Sequence, residues 1–119
     1  MLTRQEMFNL AFNGIRNQNF EPAYDNGRCK YLTGDGKRCA FGHIQPTLSD
    51  ETQGVYGVYD PNLISRIDLD FAEDLQTVHD YSAGSPALNT AAKKYSLTPY
   101  TMEYNLRQFA KYHNLTVPE

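Results

Sequence analysis

The chain has no tryptophan and only two cysteines. No apolar run in it approaches the roughly 18 residues needed to cross a bilayer, which excludes a membrane-spanning helix as the organising element. Two cysteines cannot supply the disulfide framework of a small secreted scaffold. Residues Met1 to Glu6 carry no apolar stretch of the secretion-signal kind. Together these absences predict a cytoplasmic protein whose thiols are reduced. An excess of positive charge is missing too: 11 Lys and Arg stand against 14 Asp and Glu, a net charge of −3. The basic footprint of a nucleic-acid binder is therefore not expected. Internal repeats and low-complexity tracts are also lacking.

What is there suits one small globular domain spanning residues 1–119. Hydrophobic residues make up 40% and aromatics 13%, with nine Tyr and six Phe, enough apolar area to build a core. The charge is unevenly spread. Residues 45–80 carry eight acids (Asp50, Glu51, Asp60, Asp68, Asp70, Glu73, Asp74, Asp80) against Arg66 alone, whereas both flanks are slightly basic. Such a segment repels phosphates and suits a basic protein surface. The plainer alternative is that these acids cap a helix and keep a loop soluble.

Local patterns predict an α+β fold, about four helices packed on a small β-hairpin. Thr3 with Glu6 forms a capping box, and Met7, Leu10, Ala11, Gly14 and Ile15 follow at helical spacing to about Asn17. Asp25-Asn26-Gly27 reads as a turn leading into the hairpin. The hairpin itself is expected to pair Tyr31 and Leu32 with Arg38 and Cys39 around Thr33–Lys37, where Gly34, Asp35 and Gly36 favour reversal. Cys39 to Ile44 reads either as a strand end or as the first turn of a short helix. Residues 45–62 are irregular, with Val55, Tyr56, Val58 and Tyr59 either folded over the core or exposed among acids. A long helix should start with Asp70 as N-cap and Glu73 at the capping-box position. Phe71, Leu75, Val78, His79 and Ser82 should face inward, and Gly84 should stop it. Ser85-Pro86 and Thr98-Pro99 carry start signals for two further helices. Asn114 suits the left-handed position that ends the last one, with Leu115 beyond it.

Four residues are equipped for metal ligation or nucleophilic chemistry: Cys29, Cys39, His43 and His79. They form an acceptable tetrahedral zinc set, although the Cys-x9-Cys spacing is wider than the short spacings of zinc hairpins. A cysteine-dependent hydrolase or transferase would use Cys39 as nucleophile at a helix N-terminus and His79 as base. Asp80 is expected to point away from its neighbour's ring, because adjacent helical residues diverge by about 100°. In the third reading these residues are structural. Cys29 and Cys39 pack under the hairpin, His79 donates to a hairpin carbonyl, and Asp80 accepts from backbone in the Cys39–Gly42 turn. No cofactor is required under that reading, and zinc is the one cofactor otherwise considered.

The stretch Cys29-x-Tyr31 … Gly36-x-x-Cys39-Ala-x-Gly42 resembles a family of small, mostly uncharacterised phage and prophage proteins. Leu75, Gln76, His79 and Asp80 match its Leu-Gln-x-x-His-Asp helix, and Phe109, Ala110, His113 and Leu115 match its closing Phe-Ala-x-x-His-x-Leu. The resemblance spans nearly the whole chain. It implies no particular activity, but phage accessory proteins of this size often bind and inhibit host machinery, including defence nucleases. The resulting expectation is an anti-defence, anti-CRISPR-like protein acting in the host cytoplasm. It would contact a host protein with a basic surface through Asp50, Glu51, Tyr56, Tyr59 and Asp60. Direct nucleic-acid or membrane binding is not expected, and nothing in the chain specifies an oligomeric state.

Overall fold

In the computed structural model of the chain, residues 1–48, 54–85 and 89–119 are described. The first helix, α1 (Arg4–Asn17), opens with the expected capping box: the Thr3 side chain accepts from the Glu6 N–H, and the Glu6 carboxylate accepts from the Thr3 N–H. Its end is a Schellman turn. The Asn19 N–H bonds Arg16 O and the Phe20 N–H bonds Ile15 O, while both Asn19 and Phe20 adopt positive φ. Phe20 then packs edge-on against Phe12, ring centroids 5.6 Å apart.

The hairpin is the first departure from expectation. Its strands are β1 (Tyr24–Asp25) and β2 (Arg28–Cys29), antiparallel, with Tyr24 opposite Cys29 and Asp25 opposite Arg28. Asn26-Gly27 is therefore the hairpin turn itself, with φ of 52° and 77°, the pair of left-handed values that a two-residue connection needs. The stretch expected to be the hairpin survives as a single bridge between Leu32 and Arg38. It closes over a loop in which the Thr33 hydroxyl bonds Asp35 and the Lys37 backbone. The ladder goes no further because Cys39, next to Arg38, already caps the following helix.

Among the described residues there are six α-helices rather than about four. The additions are single turns: α2 (Ala40–Ile44) directly after Cys39, and α3 (Gly54–Val58) within the irregular region. Gly42 of α2 presses on the preceding loop, where a Cβ would fall 2.3 Å from the Tyr31 carbonyl oxygen. Buried Gln45 is tied to the end of α3, its amide donating to Val58 O and accepting from the Asp60 N–H, each at 2.8 Å.

The long helix α4 (Leu69–Ser82) starts earlier than expected. A 3-10 turn at Arg66–Asp68, capped by Ser65, feeds straight into it, so Asp70 lies inside the helix and not at its cap. Its inward face is as read: Phe71, Leu75, Val78, His79 and Ser82 are all buried. It ends in a second Schellman turn, Ser85 N–H to Asp80 O and Gly84 N–H to Tyr81 O, with Gly84 at φ 98°. Of the Ser85-Pro86 start signal, Pro86 lies outside the described residues; α5 spans Asn89–Tyr95. The last helix, α6 (Met102–Tyr112), begins after the Thr98-Pro99 signal and not at it. The Asn105 side chain reaches back to accept from the Thr98 N–H and donate to Thr98 O, which holds residues 98–101 as a turn outside the helix. Asn114 ends α6 in the left-handed conformation, and Leu115 N–H reaches Ala110 O at 2.8 Å.

The buried residues form one apolar cluster, drawn mainly from α1, α2, α4 and α6, with Val55 of α3 and Tyr95 of α5 joining it. At its centre Phe109 stacks on Phe8 (6.1 Å, 12°) and meets Phe71 and Tyr95 at 5.1 Å. Because the Gly42 contact is with backbone, it cannot be relieved by a rotamer change. Gly42→Ala is therefore expected to cost about 2–3 kcal/mol as an overpacked site, read as a lower denaturation midpoint at unchanged m-value.

Candidate functional site

The one group of three or more Cys, His, Asp or Glu donors that converges among the described residues is Cys29, His79 and Asp80, with one donor atom from each within 4.8 Å of the others. The hairpin brings Cys29 there from β2, and α4 supplies the other two. They adjoin an open cleft of about 330 Å³, where Cys29 and Asp80 line the wall together with Tyr24, Gly27, Arg28, Gly84 and Ser85.

The wiring of His79 decides what this group can do. Its ring is fully buried, and Nε2 lies 3.0 Å from the Ala23 backbone nitrogen. A backbone N–H only donates, so Nε2 accepts, and the ring proton sits on Nδ1. From there it is donated to Asp80 Oδ1 at 2.8 Å. Asp80 Oδ1 also accepts from the Gln76 amide at 3.0 Å, and Gln76 Oε1 accepts from the Phe41 N–H at 2.9 Å. Three expectations are corrected here. His79 accepts from backbone before the hairpin instead of donating to a hairpin carbonyl. Asp80 does orient its neighbour's ring, since Nδ1 is the ring nitrogen nearest its own main chain and a following carboxylate can fold back to it. The backbone contact with the turn after Cys39 is made by Gln76, one helical turn before Asp80.

Neither chemical alternative finds its geometry. A nucleophile relay sets the sulfur at one imidazole nitrogen and the carboxylate at the other, on opposite sides of the ring. Here Nε2 is taken by Ala23, and the sulfur lies within 4.8 Å of the carboxylate. Cys39, the expected nucleophile, is fully buried, and its sulfur caps α2 by accepting from the Gly42 N–H at 3.3 Å. The expected zinc set of Cys29, Cys39, His43 and His79 is not assembled either. Convergent though Cys29, His79 and Asp80 are, a metal on Nδ1 would drive the proton to Nε2, head-on to the Ala23 N–H. These residues do not fit a metal ion as they are bonded.

His43 lies elsewhere, with its ring over α1, where a Cβ at position 14 would fall 2.2 Å from Nδ1. Nε2–H donates to Gln18 Oε1 at 3.1 Å. Burial first, then the positive charge of Arg38, pushes its pKa down from 6.5 to about 4.

Of the expected contact residues, Asp50 and Glu51 lie outside the described residues. Tyr56 is half exposed, and its hydroxyl donates to Asp70. Tyr59 packs partly buried against the core, and Asp60 accepts from the Asn62 N–H at 2.8 Å. Three acids that sequence reading had treated mainly as caps and charge count now stand together on α4: Asp70, Glu73 and Asp74. Their i, i+3 and i, i+4 spacing was the available signal. The carboxyl of Glu73 is pushed up by burial first, then by the charges of Asp80, Asp74 and Asp70. Tyr56 is pushed up to about 12, chiefly by its bond to Asp70. Comparison with family models, with curated proteins and with solved structures finds no match to this chain.

Two outcomes follow from the site. In the native protein a thiol-disulfide reagent is expected to modify Cys29 quickly and Cys39 only on unfolding; Cys29→Ser removes the fast phase, and equal rates would refute this placement. The folded His43 binds its proton less readily than the unfolded one, so its contribution to stability is lost as pH falls from about 6.5 to about 4. Replacing it by Gln should flatten the fall in urea midpoint across that window.

Proposed function

We propose that this chain is a non-enzymatic accessory protein of the phage type, which binds and inhibits a basic host protein through the outer face of α4 and the adjoining Tyr56. The observation that carries this reading is the crowding of like charge around Glu73. Asp70, Glu73 and Asp74 occupy a single turn, and no ion pair among the described residues involves Asp70 or Glu73. Like charges at this spacing destabilise a helix, and a basic partner relieves the repulsion when it docks. Tyr56, exposed beside Asp70, adds rigid aromatic contact area that costs little entropy to immobilise. The acidic middle third also steers a basic partner from a distance.

Inhibition of a defence nuclease fits the same chemistry. A basic groove built for phosphates is a natural target for a carboxylate-rich face. The motif resemblance to phage proteins supports that setting, and the wiring of His79 supports a non-enzymatic role.

The test is Asp70→Lys combined with Glu73→Lys, with partner capture from a host lysate quantified by mass spectrometry. Capture of the specific partner is expected to fall at least tenfold, and wild-type capture should weaken as salt rises. Thermal stability should fall only modestly, because the reversal removes repulsion but also breaks the Tyr56–Asp70 bond and puts a cation in the first turn of α4. Capture that survives both the reversal and high salt would sink this reading.

A further inference from the structure

Lys94 holds an unusual position beside the acidic face. Its ammonium pairs with Asp74 Oδ2 at 2.8 Å and lies 5.1 Å from the Tyr95 ring centroid and 5.5 Å from that of Tyr112. The two rings meet edge to face, centroids 4.9 Å apart at 74°. One carboxylate and two aromatic faces enclosing an ammonium make a cation box.

The walls of this box do not depend on Lys94. Tyr95 is 2% exposed and packs 5.1 Å from Phe109. Its hydroxyl donates to Asp74 Oδ2 at 2.5 Å, so His113 Nε2–H must be the donor to the Tyr95 oxygen at 3.1 Å. Tyr112 leans on His113, ring centroids 5.1 Å apart. Tyr95 and Asp74 are thus held by the core and by hydrogen bonds, and half-exposed Tyr112 is steadied by ring contacts with Tyr95 and His113. Lys94 is the surface part: its side chain is 40% exposed, and its anchors are an exposed ion pair and exposed cation–π contacts, both weak.

We propose that Asp74, Tyr95 and Tyr112 form a recognition site for a lysine side chain of the protein partner, held in the unbound chain by Lys94 as an internal stand-in. The site deepens the reading of a basic partner given above and rests on it. Lysine suits it better than arginine. Asp74 Oδ2 already receives both the ammonium and the Tyr95 hydroxyl, so a compact point charge fits where a two-pronged guanidinium fork does not. The neighbouring Asp70 adds to the field on Lys94, which joins the box to the Tyr56 edge of the acidic face.

The test titrates acetyl-lysine methylamide into wild type and into Lys94→Gln, following the Tyr95 and Tyr112 ring signals by NMR. Lys94→Gln is expected to bind the probe saturably and at least tenfold tighter than wild type, with the matching arginine probe weaker. Adding Tyr112→Ala or Asp74→Asn to Lys94→Gln should abolish binding, while unchanged Phe8 and Phe12 signals show an intact core. Absence of saturable shifts in Lys94→Gln, affinity equal to wild type, or binding indifferent to Tyr112→Ala would overturn the site. Loss of partner capture on reversing Asp70 and Glu73, together with no probe binding, would sink this site and leave the acidic-face reading standing. The opposite pair of results would do the reverse.

Discussion

Two backbone N–H groups with no partner in regular structure, those of Ala23 and Phe41, find their acceptors on side chains of α4. His79 takes the first and Gln76 the second, and Asp80 joins the two by accepting from both side chains. A buried donor left without an acceptor costs on the order of 1–3 kcal/mol, so this short polar string decides where the segments around β1 and α2 can sit. Helix α4 also touches each of the other five helices. It is the frame on which the rest is hung. The position of Cys29, the cleft beside it and the capping role of Cys39 all follow from docking two irregular segments on that one helix.

Features fixed by a few neighbouring residues were legible in the sequence. The Thr3–Glu6 capping box, the Asn114–Leu115 ending and the Gly84 stop depend on side chains within one turn, and each stands as read. Where two local signals competed, the reading failed. Asp70 looked like a cap, but Ser65 and the 3-10 turn behind it start the helix sooner. Thr98-Pro99 looked like a start, but Asn105 draws its backbone into a turn. Asn26-Gly27, the tightest hairpin signal in the chain, competes with the looser glycine pair at Gly34 and Gly36 and sets the strands several residues earlier.

The candidate site was less legible for a related reason. Cys29 meets His79 only because the hairpin turns at Asn26-Gly27, so an error in the turn hides the contact. The ring of His79 and the carboxylate of Asp80 meet through a side-chain fold-back that helical periodicity argues against. The bond between Tyr56 and Asp70 and the box around Lys94 depend on packing among elements far apart in sequence, to which no local pattern points. The charge asymmetry, by contrast, was visible at once, since it needs no structure to be counted.

The two faces of α4 obey different rules. Inward, every polar group described above is matched: donors meet acceptors, and the one carboxylate, Asp80, is held by a ring and an amide. Outward, the same helix sets Asp70, Glu73 and Asp74 within one turn, where burial first and then the neighbouring carboxylates raise the Glu73 carboxyl. Asp74 holds Tyr95 and Lys94 and Asp70 holds Tyr56, but no bond described above asks for Glu73 between them. A stretch that meets every local requirement on one side and breaks the simplest one, like charges kept apart, on the other is where function is to be sought. The tyrosines beside the acids point the same way. Tyr56 and Tyr112 remain half exposed next to carboxylates, although the core had room for fifteen aromatic side chains only in part and took Tyr31 and Tyr95 instead. Helix α4 thus supplies both the rigidity that holds the fold and the unrelieved charge that a second, basic molecule would neutralise.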